Sequence, residues 1–401
     1  MKEGLKQPLW APLDPENLLD PYPMYARLRT HDPVHHSQTK EWIISRYSDI
    51  RDVLRNPAFR AGNRLEWLSR GVKYFNYDED LRFIHEAINT FFLFLNPPEH
   101  TLIRSYVVKN LAEFKVEKLI ERVVNDRLRQ LNNQEFDLVT DYAQPLPVSV
   151  IADIMGLPAS DCLYLRSLGV RMHRSLDLYH SYKDLVNLNE ASRSFIEYFQ
   201  LHIRQKSDHP DESLISKLIR NRPDMISEAH LISICIFLFI ASEETTSSAI
   251  GTGLWHLMQN PEHYSMLRSH PTKVEIAVQE LLRYDAPVQI VGRIATTDSL
   301  LGGREIPAGD SLTLLLASGN RDDAFFADPD TLNLERVPNH HLAFSAGPHR
   351  CLGDWLGLLQ MQKAIASFVQ RFPTVELLSE PPEWNKNLAV RGLRTLRVRV
   401  G

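Results

Sequence analysis

Near its C-terminal end the chain reads FSAGPHRCLG from Phe344 to Gly353, one cysteine among glycines, a proline and two basic side chains. Only Cys162 and Cys235 accompany Cys351, and three scattered cysteines cannot build the framework of a disulfide-stapled secreted protein. The apolar spacing of LGDWLGLLQMQKAIASFVQRF predicts a helix directly after Cys351. The sulfur then lies near a helix N-terminus, where unpaired N–H groups and the helix dipole favour thiolate over thiol. Gly347 and Gly353 allow a tight turn and the close approach of a flat ligand to the backbone, and His349 and Arg350 add positive charge. Such a thiolate is a soft metal ligand or a nucleophile; the blander reading is a buried cysteine acting as a small hydrophobe. No second Cys or His stands at zinc-ligand spacing, and no local cysteine-protease signature is present. The cysteine alone does not decide among these.

A second candidate lies in HLISICIFLFIASEETTSSAIGTGLWHLMQN, apolar from Leu231 to Ala241, polar from Ser242 to Ser248, then apolar again. The first apolar run is short of the roughly 20 residues needed to cross a bilayer, so it reads as a helix through a large core. Burying an unpartnered carboxylate costs several kcal/mol, so Glu243 and Glu244 inside such a helix imply water, a charge partner or chemistry.

The elements that must position these residues are mostly helical. DPYPMYARLRTHD and YSDIRDVLRNPAF have helical spacing, and PVHHSQTKEWIISRY alternates like a hairpin. From about residue 97 to 290 helices dominate, through KVEKLIERVVNDRLRQL, VSVIADIMGL, EASRSFIEYFQLHIRQ and KVEIAVQELLRY. Strand signals return in LLGGREIPAGDSLTLLLAS and RGLRTLRVRVG. The expected class is α+β, mainly α, with small sheets. Over 401 residues no Gly/Ser-rich linker or repeat marks a boundary, so one domain spanning 1–401 is expected. With 45 basic and 50 acidic side chains and no basic tract interleaved with aromatics, nucleic acid is not an expected partner. The opening MKEGLKQPLWAPLDPENLLDPYPMY has no apolar core of signal-peptide length, so a soluble, cytoplasmic protein without a membrane anchor is expected.

The pattern Phe-Ser-x-Gly-x-His-x-Cys-x-Gly resembles the haem-binding loop of the cytochrome P450 family, and family-like segments follow in order along nearly the whole chain. Glu280-Leu-Leu-Arg283 is similar to the family's Glu-x-x-Arg pair, and Arg336 stands where a second arginine meets it; carboxylate and guanidinium at i and i+3 can pair on one helix face. NPPEHTLIR matches Pro-Pro-Glu-His-Thr-x-x-Arg. The resemblance implies that His100, Arg104, Arg293 and His349 serve the propionates, that Cys351 ligates the iron of haem b, and that Phe344, Gly353 and Ala241 line the cofactor. IASEETT is similar to (Ala/Gly)-Gly-x-(Asp/Glu)-Thr, which implies that Thr245 and Glu244 deliver protons during dioxygen activation. Ser242 replaces the usual glycine, and its hydroxyl can bond back to a carbonyl one turn earlier. Asp354, Leu358 and Gln360 depart from Ala, Arg and Glu on the helix where relatives dock a redox partner.

The resemblance thus implies a cytochrome P450 fold, with haem between the long central helix and the helix after the cysteine. It implies a bacterial-type monooxygenase inserting one oxygen atom from O2 into an apolar organic substrate, with hydroxylation in secondary metabolism or lipid or terpenoid oxidation the expected outcome. Electrons would come from a separate ferredoxin or flavodoxin and its reductase, since the resemblance uses nearly all of the chain. A haem sensor without turnover, or a peroxide-driven or coupling enzyme, is the alternative; the Glu244–Thr245 pair argues against the sensor and the peroxide-driven enzyme. Trp67, Tyr74, Phe75, Tyr77, Phe83, Phe91, Phe92 and Phe94 suggest an apolar pocket, or else ordinary core. Arg60, Arg64, Arg70, Lys73 and Arg82 among them leave a carboxylate or a carrier-linked substrate open.

Overall fold

The computed structural model describes residues 8–62, 81–88, 90–131, 133–173, 181–378 and 381–401. The helices that carry the site are, in chain order, α1 (Tyr47–Arg55), α2 (Arg82–Ile88), α3 (Glu99–Leu111), α4 (Cys162–His173), α5 (Tyr182–Asp208), α6 (Glu228–Met258), α7 (Val274–Tyr284) and α8 (Asp354–Arg371). The chain forms two compact units, Met1–Gly62 with Ser248–Asp354 and Phe372–Gly401, and Asn63–Ser247 with Trp355–Arg371.

The first unit is built on a five-stranded sheet. Strands β1 (Val34–His36), β2 (Trp42–Ile44), β3 (Phe59–Arg60), β4 (Ile290–Ala295) and β5 (Ser311–Leu315) lie in the order β1-β2-β5-β4-β3. β2 and β5 run parallel, with Ile43 opposite Thr313, and the other pairs are antiparallel, with Arg293 opposite Leu312. The hairpin expected at residues 33–47 is β1–β2. Ile44, Leu312 and Leu314 of the sheet share one apolar core with Ile50, Val53 and Leu54 of α1 and with Leu342 and Ala346. That core fixes the segment leading into Cys351 against α1.

The second unit is helical. α5, capped by reciprocal Ser181–Asp184 hydrogen bonds, packs against α2 and α4. Phe195 and Phe199 of α5 are fully buried, and Phe195 packs on Phe239 of α6. The Tyr142 hydroxyl donates to the Ala364 carbonyl of α8 at 2.7 Å. α6 has 31 residues and is long and apolar enough to cross a membrane, yet Leu231, Ile234, Cys235, Ile236 and Phe239 are all fully buried. It is a core helix, and its all-round apolar character follows from that.

Candidate functional site

The cysteine loop stands in the first unit. Ser345 and Gly347 adopt left-handed backbone (φ 60° and 70°), a Gly347–His349 3-10 turn follows, and the Cys351 amide donates to the Phe344 carbonyl at 2.9 Å. Gly347 is obligatory: a Cβ there would sit 2.2 Å from the Leu54 carbonyl oxygen of α1. The loop returns on itself and leaves Cys351 exposed, three residues before α8 begins at Asp354. Phe344 and His349 are half-buried. A Cβ on Gly353 would meet no described atom within 4 Å. Arg350 does not act as a bare positive charge beside the thiol, because its guanidinium pairs with Asp354 at 2.7 Å. Asp354, where relatives often carry alanine, is thus the acid that takes up this arginine. Gln360 is 3% exposed, so of the three departures on α8 it is one that cannot reach a docking surface.

Arg293 lies on β4 and is 7% exposed; Nη1 donates to the Gly292 carbonyl at 2.7 Å, and no carboxylate among the described residues pairs with it. Burial pulls its pKa down to about 10. The Glu280–Arg283 pair, by contrast, is closed. Arg283, 0% exposed, donates Nε and Nη2 to the Glu280 carboxylate at 2.7 and 2.8 Å, and Arg336 Nε adds two contacts at 3.2 Å. Burial raises the Glu280 pKa, but the Arg283 and Arg336 bonds outweigh it and the net shift is downward. This network ties α7 to the loop around Asn333 and Asn339, which also donate to Glu280, and its role is architectural.

The remaining predicted residues stand in the second unit. His100 (buried) and Arg104 (half-buried) are one turn apart on α3. On α6 the polar run leaves the helix intact from Glu228 to Met258. Its Ser242 hydroxyl donates to the Phe239 carbonyl at 2.9 Å, the back-bond expected of a serine at the glycine position, and Thr245 donates to the Ala241 carbonyl at 3.0 Å. Phe237, Ala241 and Thr245, at i, i+4 and i+8, share one face of α6; Phe237 and Thr245 are half-buried, as are Ser242 and Glu244, and Ala241 is exposed.

Two residues that the sequence did not single out complete this region. Arg166 and His173 of α4 face the adjacent glutamates: Arg166 Nε is 3.3 Å from Glu243 Oε1, and His173 Nδ1 is 2.9 Å from Glu244 Oε2. Burial works against charge on His173, yet the two glutamates lift its pKa to about 9. Burial pushes Glu243, 2% exposed, up to about 7, with His173 and Arg166 pulling the other way. The buried carboxylate therefore has charge partners. Of the aromatic set, Phe91 and Phe92 are core residues that meet the Phe237 ring, Phe91 tilted and Phe92 edge-on, while Phe83 and Phe94 are half-buried. Trp67, Tyr74, Phe75 and Tyr77, with Arg64, Arg70 and Lys73, lie outside the described residues.

Comparison with known proteins identifies the family. Residues 167–395 match the family model described as Cytochrome P450. The chain is 31% identical over 395 residues to the polyketide biosynthesis cytochrome P450 PksS of Bacillus subtilis (strain 168), covering 94% of this chain and 95% of that protein. It is 31% identical over 391 residues to the biotin biosynthesis cytochrome P450 of the same organism, covering 96% and 97%. The crystal structure of P450BioI in complex with hexadec-9Z-enoic acid ligated acyl carrier protein matches with a TM-score of 0.88 at 29% identity, over 96% of this chain and 99% of that one. A cysteine presented on a glycine-dependent loop, a buried Glu280–Arg283–Arg336 network and relatives matched along almost their full length lead to one conclusion: the chain belongs to the cytochrome P450 family and is a haem-dependent monooxygenase of the mainly helical α+β P450 fold.

Proposed function

We propose that Cys351 gives its thiolate to the iron of a b-type haem, and that Arg293, His349, His100 and Arg104 meet the propionates. The residues suit that cofactor. Arg293 is a buried cation lacking a carboxylate among the described residues, as a propionate partner needs, and a Cβ at Gly353 would meet no described atom within 4 Å, so a flat ring can approach that backbone. Bound haem supplies dioxygen activation, with thiolate ligation favouring O–O cleavage. Around it this chain's own residues hold the thiolate in place and exclude side chains from the ring's faces. Glu244 and the Thr245 hydroxyl, neighbours on α6, hand protons toward the reacting oxygen.

The proposed reaction is hydroxylation of an apolar organic molecule with one oxygen atom from O2, driven by electrons from a separate ferredoxin or flavodoxin with its reductase, in the cytoplasm. The relatives' roles in polyketide and biotin biosynthesis, and the acyl carrier protein held by P450BioI, favour an acyl or polyketide-like chain, free or carrier-linked. The observation that carries the reading is the exposed Cys351 on the loop that Gly347 locks against Leu54. Cys351→Ser is expected to abolish the strongly red-shifted ferrous carbonyl band of thiolate ligation; survival of that band removes Cys351 as the ligand. A binding screen by spectral shift, using fatty acids and their carrier-protein thioesters, reads the substrate class.

A further inference from the structure

Arg166, Gly169 and His173 recur at i, i+3 and i+7 on α4, so they share one face. That face meets Glu243 and Glu244. A Cβ on Gly169 would come within 2.9 Å of Glu243 Oε2, so a glycine in mid-helix, otherwise a cost, makes room for the carboxylate. His173 Nε2 is 2.8 Å from the Ile240 carbonyl oxygen, and Nδ1 is 2.9 Å from Glu244 Oε2. Both ring nitrogens thus face acceptors, whereas a neutral imidazole has one N–H to give. A ring that meets both acceptors carries a second proton, as the imidazolium does. The Nδ1 contact is short but off the hydrogen-bond axis, so this proton is held by charge and not locked in an aligned bond. With His173 protonated and both glutamates ionised, Arg166 and His173 from α4 balance Glu243 and Glu244 from α6. Arg171 of α4 is engaged elsewhere, 2.7 Å from Glu190 of α5.

We propose that His173 is a positioning residue of the proton supply, keeping a protonated ring against Glu244 beside Thr245, with Arg166 and Glu243 as the counter-charges that hold α4 to α6 at this point. This rests on the reading of Thr245 and Glu244 as proton donors. It makes α4 part of the machinery: a shift of α4 that separates His173 from Glu244 takes the protonated ring away. With the His173 pKa raised from 6.5 to about 9, the stabilisation that the protonated ring contributes is lost as pH rises through about 9, so the ring is charged at neutral pH.

Two measurements test this on the haem-loaded protein. The first is histidine-labelled NMR in the ferrous carbonyl state. His173 is expected to titrate well above the other histidines, and Glu244→Gln is expected to lower its midpoint by about one pH unit or more. A midpoint near that of a solvent-exposed histidine, or one indifferent to Glu244→Gln, overturns the proposal. The second is product formed per NAD(P)H consumed with surrogate redox partners, comparing Thr245→Ala with His173→Gln. A positioned proton donor contributes about 10²–10⁴-fold, so with Glu244 retained a drop of about tenfold is expected for His173→Gln, with a changed pH profile and an intact carbonyl band. Should His173→Gln fold poorly, the charge-balanced pair His173→Gln with Glu243→Gln is measured in its place. Uncoupling in Thr245→Ala with wild-type coupling and pH profile in the His173 variant sinks this proposal alone. Unchanged coupling in Thr245→Ala sinks the proton-delivery reading and this proposal with it.

Discussion

Two glycines of the cysteine loop should respond to the same methyl group in opposite ways. At Gly347 the backbone is left-handed (φ 70°), and a Cβ would lie 2.2 Å from the Leu54 carbonyl oxygen, 3.0 Å from its carbon and 3.4 Å from Arg55 Cα. All three are backbone atoms at the end of α1, packed into the apolar core under the sheet, so no flexible side chain can give way. Left-handed backbone costs a non-glycine residue about 1–2 kcal/mol and overpacking about 1–3 kcal/mol, which puts Gly347→Ala at about 2–5 kcal/mol of destabilisation with the cysteine loop displaced. At Gly353 a Cβ meets no described atom within 4 Å. Gly353→Ala should leave the haem-free protein as stable as the parent, or more stable by about 0.4–1 kcal/mol through a less flexible unfolded chain. Its penalty appears only when a flat ring approaches that backbone. The assays are the thermal midpoint of haem-free protein and the haem bound per chain. Gly347→Ala is expected to lower both; Gly353→Ala is expected to lower the second alone. An unchanged midpoint in Gly347→Ala refutes the contact with Leu54, and full haem retention in Gly353→Ala refutes the assignment of Gly353 to the cofactor face.

Arg293→Leu should act in opposite directions in the two forms: removing a buried cation without a carboxylate partner stabilises the haem-free protein, while haem retention falls as a propionate loses its partner. A loss of stability in the haem-free form speaks against the propionate role. Glu280→Ala strands the fully buried Arg283 guanidinium and is expected to cost about 3–5 kcal/mol, read by denaturant unfolding, against about 0–1 kcal/mol for Glu376→Ala in the exposed Glu376–Arg399 pair. Because the Glu280 pKa is depressed in the folded protein, its contribution is present above the ordinary carboxylate range and is lost as pH falls through the folded value, so the variant's acid-side stability profile should be flatter than the parent's.

How far the sequence reached depended on how far apart in the chain the interacting groups lie. Periodicity found the β1–β2 hairpin, α1, α6 and α7, because each is defined by neighbours within a few residues. The same holds for the Ser242 back-bond and for Glu280 with Arg283, three residues apart on one helix. The positive charge that Arg350 adds beside Cys351 is shared with Asp354, four residues on, a pairing that depends on the fold of the loop between them. Phe91 and Phe92 could not be told apart from pocket-lining residues, since burial against Phe237 of α6 is a tertiary fact.

His173 shows where the limit lies. It stands about seventy residues before Glu244, and nothing in MHRSLDLYH distinguishes it from a histidine on a solvated helix face. Yet a signal was present on each side of the contact. On α6, two adjacent glutamates in an apolar helix required a cation from elsewhere, because the cost of burying them alone exceeds what a marginally stable chain tolerates. On α4, Arg166 and His173 flank Gly169 at helical spacing, which presents two cations on one face with a gap between them wide enough for a carboxylate. Matching unpaired buried acids on one helix with a gapped pair of bases on another would have identified the cluster, whereas neither pattern identifies it alone. The contact is specific because both halves are costly without each other: Glu243 and Glu244 need the cations to stay buried, and Gly169 weakens α4 unless a carboxylate fills the space it leaves.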